Sequence, residues 1–471
     1  MQFGIILFYL VVMSLIGLYF ARVRVKDSDD FMVAGRSLPQ WILAGTLLAT
    51  FVGSGTIVGG ASFIYQFGPI AAIFFFAGTP IGIIILYFFL ADRIRGLAKY
   101  TVPEILEIRY GSFARAFGGI TILLAYVGIA AYQFIGGGYV LNITTGIPVW
   151  VGTIITAVVV IFLATVGGLI SVAYTDAISA VLIIVGLLIA CPLILGEVGG
   201  FSGLFEALPE TKASWNGGLS IPQLLGYFLP LLLLLLGDQN VYQRFSSAAN
   251  PETARKSAIG FFVGAMVVVA LVIVLASSAI VLLPEIPPDT AILALAGESL
   301  PLFLGGILLA SSVAIIITTG NSYLLSSAGN LVYDIYSNLF GREIPEGRGL
   351  LYDRIAVAAL GVFAYVMGAF FPTVLALQIY SYTIYGAGIT PALVAALVWR
   401  RATVAGGVSS ILTGAVVTLV WELVLNQPLE WNAVLVALPA SVIVLIVVSL
   451  ATSDRPGRLA GEQAEQPARV R

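Results

Sequence analysis

Apolar residues run through this chain in long uninterrupted blocks separated by short polar connections. A bilayer core about 30 Å thick is crossed by a helix of about 20 apolar residues. Thirteen blocks reach that length, near 2–21, 40–66, 69–91, 116–142, 147–166, 169–195, 221–244, 258–283, 301–336, 354–371, 373–399, 403–425 and 431–451. The pattern predicts an all-α polytopic membrane protein of about 13 transmembrane helices. The block at 2–21 lacks a basic leading region, and no small-residue cleavage site precedes the polar stretch Arg22 to Asp30. It is therefore expected as a retained first span and not as a signal peptide. No soluble domain is expected, since the longest polar stretches are 196–220, 337–353 and the tail from Thr452. That tail is rich in Gly, Glu, Gln and Arg and is expected to be disordered.

Composition points to lipid as the main partner. Of 471 residues, 59% are hydrophobic and 10% are charged, against roughly 25% charged in soluble domains. The net charge of −2 says little about partners, and no basic patch of nucleic-acid size occurs. The chain contains no histidine and a single cysteine, Cys191. HExxH zinc sites, Ser-His-Asp triads, disulfides and CxxC motifs are thereby excluded, and with them most familiar enzyme chemistry.

Lysine and arginine concentrate in cytoplasmic loops, and here they alternate with the spans. Arg22, Arg24, Lys26 and Arg36 follow the first block, and Arg93, Arg95, Lys99, Arg109 and Arg115 follow the third. Arg244, Arg255 and Lys256 follow the seventh; Arg342, Arg348 and Arg354 follow the ninth; Arg400 and Arg401 follow the eleventh. The tail adds Arg455, Arg458, Arg469 and Arg471. The opposite side holds Lys212 with Glu197, Glu206, Glu210, Glu285 and Asp289. The N-terminus is expected outside, and the C-terminus in the cytoplasm, of a plasma (inner) membrane.

Three places break the apolar pattern. The second block reads Leu48-Ala49-Thr50-Phe51-Val52-Gly53-Ser54-Gly55-Thr56-Ile57-Val58-Gly59-Gly60. Glycines there allow either an interrupted helix whose carbonyls face an ion or a small-residue packing face. In the ninth block Thr318, Thr319, Asn321, Ser322, Ser326 and Ser327 interrupt an apolar run. Hydroxyls in helices commonly bond back to the i−4 carbonyl, but Thr318, Asn321 and Ser322 share one face. Sodium, a hard cation, is suited to such oxygens. Asp176 stands in an apolar stretch with Ser179 one turn on. A central carboxylate costs about 2.5–3.5 kcal/mol in lipid, so it is expected to meet a cation, cap a helix end or pair with an arginine. Asp238-Gln239-Asn240 with Gln243-Arg244 forms a further polar cluster, either a gate or an interfacial helix end.

Several motifs resemble the sodium:solute symporter family. They are Phe31-Met32-Val33-Ala34-Gly35-Arg36-Ser37-Leu38-Pro39, Thr101-Val102-Pro103-Glu104-Ile105 with Arg109-Tyr110, Gly167-Gly168 through Tyr174-Thr175-Asp176, and Gln243-Arg244. Thr318 to Ser327 ending in Asp334-Ile335-Tyr336, and Gly386-Ala387 with Pro391 before Trp399-Arg400-Arg401, complete a set in the family's order. The resemblance implies a LeuT-type fold with two inverted five-helix repeats, 39–195 and 221–400, separated by an extracellular loop at 196–220. An extra span with its loop precedes them at 1–38, two helices follow at 401–453, and the tail is 454–471. It implies secondary active symport of a small solute with Na+. The main sodium site falls on Ala49, Val52, Ile315, Thr318 and Thr319, where the family more often has serine at 318 and alanine at 315. A second sodium site falls on Asp176 and Ser322. Sugar carriers place a carboxylate in the block at 69–91 and a lysine at 258–283; neither is present. A small organic carboxylate or amino acid is therefore expected, contacted by Thr50, Ser54, Thr56, Gln133 and Tyr382. Two alternatives stay open, a proton-coupled carrier of the same fold and a transport-like sensor.

Overall fold

Residues 1–24, 34–90, 101–345 and 347–452 are described by a computed structural model. Lys26, Arg93, Arg95, Lys99, Arg455, Arg458, Arg469 and Arg471, the Phe31-Met32-Val33 part of the first motif and the tail expected to be disordered lie outside them. Helices account for every span. They are α1 (Gln2–Arg24), α2 (Gln40–Phe51), α3 (Gly55–Phe67), α4 (Pro69–Leu90), the short α5 (Val102–Tyr110), α6 (Ser112–Thr145), α7 (Val149–Val166) and α8 (Gly168–Glu197). After a loop with short surface helices come α9 (Ile221–Gly237), α10 (Gln239–Ser246), α11 (Pro251–Leu282) and α12 (Leu302–Leu339). The chain ends with α13 (Gly349–Gly368), α14 (Val374–Val398), α15 (Val404–Val424) and α16 (Val434–Thr452). Twelve helices among the described residues are long and apolar enough to span a bilayer; α2 and α3, bent by 51° at their break, make a thirteenth.

The helix ends follow from local chemistry. Thr101 and Glu104 form a capping box before α5, as Ser220 and Gln223 do before α9. Asn250 and Thr403 cap α11 and α15, each cap being worth about 1 kcal/mol. α7 and α8 form one helical run kinked at Gly168, whose φ of 63° and ψ of 174° suit a residue without Cβ. Large apolar side chains stay on the outside, Phe88 and Phe89 being 66% and 64% exposed. An exposed apolar belt of this kind fits lipid.

Burial ranks the helices. The most apolar stretch of α12 is 78% buried and that of α1 only 17%, so α12 is central and α1 peripheral. α2 presses on α8 where Gly45 meets Ala177; a Cβ on Gly45 would lie 2.7 Å from the Ala177 Cα. That approach puts Thr46 within hydrogen-bonding reach of Asp176.

Candidate functional site

Between α2 and α3 the backbone stops closing helical turns. The Gly53 N–H, which would bond Ala49, donates to the Phe51 carbonyl (3.2 Å). The Ser54 N–H, which would bond Thr50, donates to the Gln133 side-chain oxygen (2.7 Å). The Thr56 N–H, which would bond Val52, donates to Gly53 (3.0 Å), and the Thr56 hydroxyl to Phe51 (3.2 Å). The carbonyls of Ala49, Thr50 and Val52 are thereby released from the helix. From α12, the Thr319 hydroxyl donates to the Ala49 carbonyl at 2.8 Å. One residue back, the Thr318 hydroxyl donates to the Ile315 carbonyl at 3.1 Å. A released carbonyl on α2 thus meets a hydroxyl on α12, whose neighbour in the chain is paired with the carbonyl of Ile315. Hard oxygen donors of this type suit an alkali cation.

Below the break lies a small cavity bordered by Leu47, Thr50, Phe51, Leu231, Leu234, Asp238, Arg244, Phe261, Tyr323 and Tyr382. Its floor is polar and densely hydrogen-bonded. Asp238, at the break between α9 and α10, accepts from the Tyr126 hydroxyl (2.5 Å), the Tyr323 hydroxyl (2.9 Å) and the Asn240 N–H (2.7 Å). Arg244 is fully buried and uses its whole guanidinium. Nε donates to Thr46 Oγ1 (3.0 Å), one terminal nitrogen to the carbonyl and the side chain of Asn240 (3.3 Å each). The other terminal nitrogen donates to Asp176 (3.3 Å) and to Ser322 Oγ (2.8 Å). Of the alternatives for Asp176, its partner here is an arginine, joined by the Thr46 hydroxyl at 2.5 Å. Asp176 and Ser322 do converge, and Arg244 stands between them.

The proposed solute contacts divide. Thr50 and Tyr382 border the cavity. Ser54, Thr56 and Gln133 belong to the break itself, with Thr56 committed to stitching the backbone. Above the cavity, the hydroxyls of Tyr132 and Tyr382 meet at 3.1 Å. A Cβ on Gly55 would lie 2.9 Å from the Tyr382 hydroxyl and 3.0 Å from the side-chain nitrogen of Gln378 on α14. Gln378 was not anticipated from sequence, nor were Tyr126, Tyr323 and Thr46. A lone amide within Leu375-Ala376-Leu377-Gln378-Ile379 is the signal that could have flagged the first. Away from the site, the motif residue Arg109 donates to the carbonyls of Arg400 (2.8 Å) and Ala402, docking α5 on the end of α14. Asp334 binds Arg115 (2.7 Å) and Thr101 (3.2 Å).

Comparison with known proteins gives the family and the fold. The family model for the sodium:solute symporter family matches residues 31–414. Sodium/proline symporters of Staphylococcus aureus strains JH9 and JH1 are each 25% identical over 437 residues, covering 88% of this chain and 84% of theirs. Among solved structures, a substrate-bound, outward-open Na+-coupled sialic acid symporter superposes with a TM-score of 0.83 at 19% identity, covering 97% of this chain and 98% of that one. MhsT in complex with L-phenylalanine gives 0.58 at 15% identity, covering 88% of this chain and 98% of that one. The fold is the LeuT-type fold that the motifs implied.

Proposed function

The chain belongs to the sodium:solute symporter family, whose coupling ion is sodium, and from that premise we propose that its cargo is a small organic carboxylate or amino acid, not a sugar. The observation carrying the placement of the coupling ion is the contact of Thr319 with the released Ala49 carbonyl. Sodium would be held by the carbonyls of Ala49, Val52 and Ile315 and the hydroxyls of Thr318 and Thr319, whose protons turn away to leave lone pairs for the ion. The ion then ties α2 to α12, while the cavity beside α2 takes the solute. Binding of one biases the conformation that binds the other, and the coupling is reciprocal.

The solute class is favoured by the apolar lining of the cavity and by the absence of charge in the block at 69–91 and in 258–283. Asp176 and Ser322 form a second cation position that fills as the Arg244 guanidinium withdraws. The two repeats are assigned to 39–195 and 221–400, with the N-terminus outside and the C-terminus in the cytoplasm. Uptake of a panel of radiolabelled amino acids, carboxylates and sugars into proteoliposomes, with and without a sodium gradient, tests the proposal. Sodium-driven sugar uptake, or no sodium-driven uptake at all, would sink it.

A further inference from the structure

A groove of about 150 Å³ lies on the outer surface between α4 and α11. Ile84, Tyr87 and Phe88 of α4 form one wall, and Ile259 and Phe262 of α11 the other. Phe88 and Ile259 stay exposed, so the groove is open to lipid. One end of it is cationic. The Arg255 guanidinium lies over the Tyr87 ring, 4.9 Å from its centre. Among the described residues, no hydrogen bond or ion pair engages Arg255. Lys256, one residue on, has its ammonium on Glu252 at 2.6 Å.

Helical geometry joins the two features. Arg255, Ile259 and Phe262 stand at i, i+4 and i+7 and share one face of α11. They cover about 10 Å at 1.5 Å per residue, most of the roughly 15 Å of hydrocarbon in one leaflet. A cation at the rim of an apolar slot of that length matches a phosphate carried on an acyl chain. The ring beneath the guanidinium positions it by a cation–π contact, and its fork of N–H donors stays available to a phosphate.

We propose that an anionic phospholipid docks here, its phosphate on Arg255 and one acyl chain along Ile84, Phe88, Ile259 and Phe262. The other face of α11 points inward. Phe261 borders the solute cavity and meets Phe51 of α2 edge to face, the ring centroids 5.9 Å apart. The lipid is thus seated one residue from the helix face that lines the cavity. Its placement in the cytoplasmic leaflet rests on the proposed orientation; the binding does not.

The test uses the full-length protein, delipidated in a neutral detergent. Phosphatidylglycerol and phosphatidylcholine with the same acyl chains are titrated onto it, and the first lipid bound is counted by native mass spectrometry. The wild type should bind phosphatidylglycerol about five-fold more tightly, the factor that one cation is worth at an anionic surface. Arg255→Gln should erase that preference and leave phosphatidylcholine binding unchanged. Lys256→Gln removes the same charge from a residue already paired, and should keep the preference within about two-fold. Ile259→Asn should weaken both lipids. Glycerol phosphate, a headgroup without chains, should displace neither. Equal binding of the two lipids by the wild type would overturn the proposal and leave an apolar groove only. Equal losses in Arg255→Gln and Lys256→Gln would replace it with diffuse attraction to a basic surface. Displacement by glycerol phosphate would replace it with a free-phosphate site. The wild-type comparison decides even if a variant fails to fold.

Discussion

The hydroxyl of Thr319 donates to the carbonyl oxygen of Ala49 at 2.8 Å, across 270 positions of chain. The contact exists because the Gly53 amide no longer closes the helical turn on Ala49. Thr319→Val keeps the shape and removes the oxygen, while Thr319→Ser keeps the oxygen and loses a methyl. Valine should raise the sodium concentration for half-maximal uptake at least ten-fold and serine by less than about three-fold. Equal effects, or none, would return Thr319 to a packing role.

The Arg244–Asp176 pair is wholly buried. Removing one partner of such a pair typically costs 3–5 kcal/mol, whereas an apolar replacement of both is often tolerated. Arg244→Met should therefore lower the melting temperature in detergent more than Arg244→Met combined with Asp176→Leu. The opposite order would show that the pair is not the main thing either residue does for stability.

Asp176→Asn separates two roles. If the second cation position is used in the cycle, this variant should need more sodium for half-activation while inserting normally. Unchanged sodium dependence would leave Asp176 a purely structural partner of Arg244 and Thr46.

Topology can be read with cysteines in a Cys191→Ser background. Thr211 is exposed, beside the half-buried Lys212 whose ammonium donates to the Tyr65 carbonyl at 2.7 Å. Arg348 is exposed in the loop before α13. An impermeant thiol reagent added to sealed right-side-out vesicles should label Thr211→Cys and spare Arg348→Cys. Labelling of position 348 would overturn the orientation.

Gly168 turns the α7–α8 run with φ of 63° and ψ of 174°, a conformation essentially confined to glycine and costing other residues about 1–3 kcal/mol. Gly168→Ala should lower thermal stability by that amount. An unaltered melting curve would mean the kink is not required.

The spans were legible because lipid demands long apolar runs, and that demand leaves little freedom in the pattern. Their ends were less so. α11 starts at Pro251, not near 258, because the Asn250 cap and the Glu252–Lys256 pair carry the helix beyond its apolar part. α5 was not foreseen, being too short and mixed in character to stand out as a span. The first break could be read from Gly53, Gly55, Gly59 and Gly60. At the second, only Gly237 precedes Asp238, and a bare polar cluster gave no choice between gate and helix end. Arg244 as the partner of Asp176, and the tyrosines around Asp238, depend on contacts between distant segments, which composition and periodicity do not encode.

Asp238 gathers the hydroxyls of Tyr126 and Tyr323 and the Asn240 N–H around one buried carboxyl group. Were Asp238, Asp176 and Arg244 all ionised, the centre of the empty protein would hold two negative charges and one positive. One sodium, at the main site alone, would bring that sum to zero, and an electrically neutral solute would leave it there. The transmembrane voltage, worth about 2.3 kcal/mol per charge per 100 mV, would then act mainly on the return of the empty carrier and hardly on the crossing of the loaded one. In a cell with a negative interior, it would drive the unloaded centre outward, resetting the carrier to face the side where sodium is abundant.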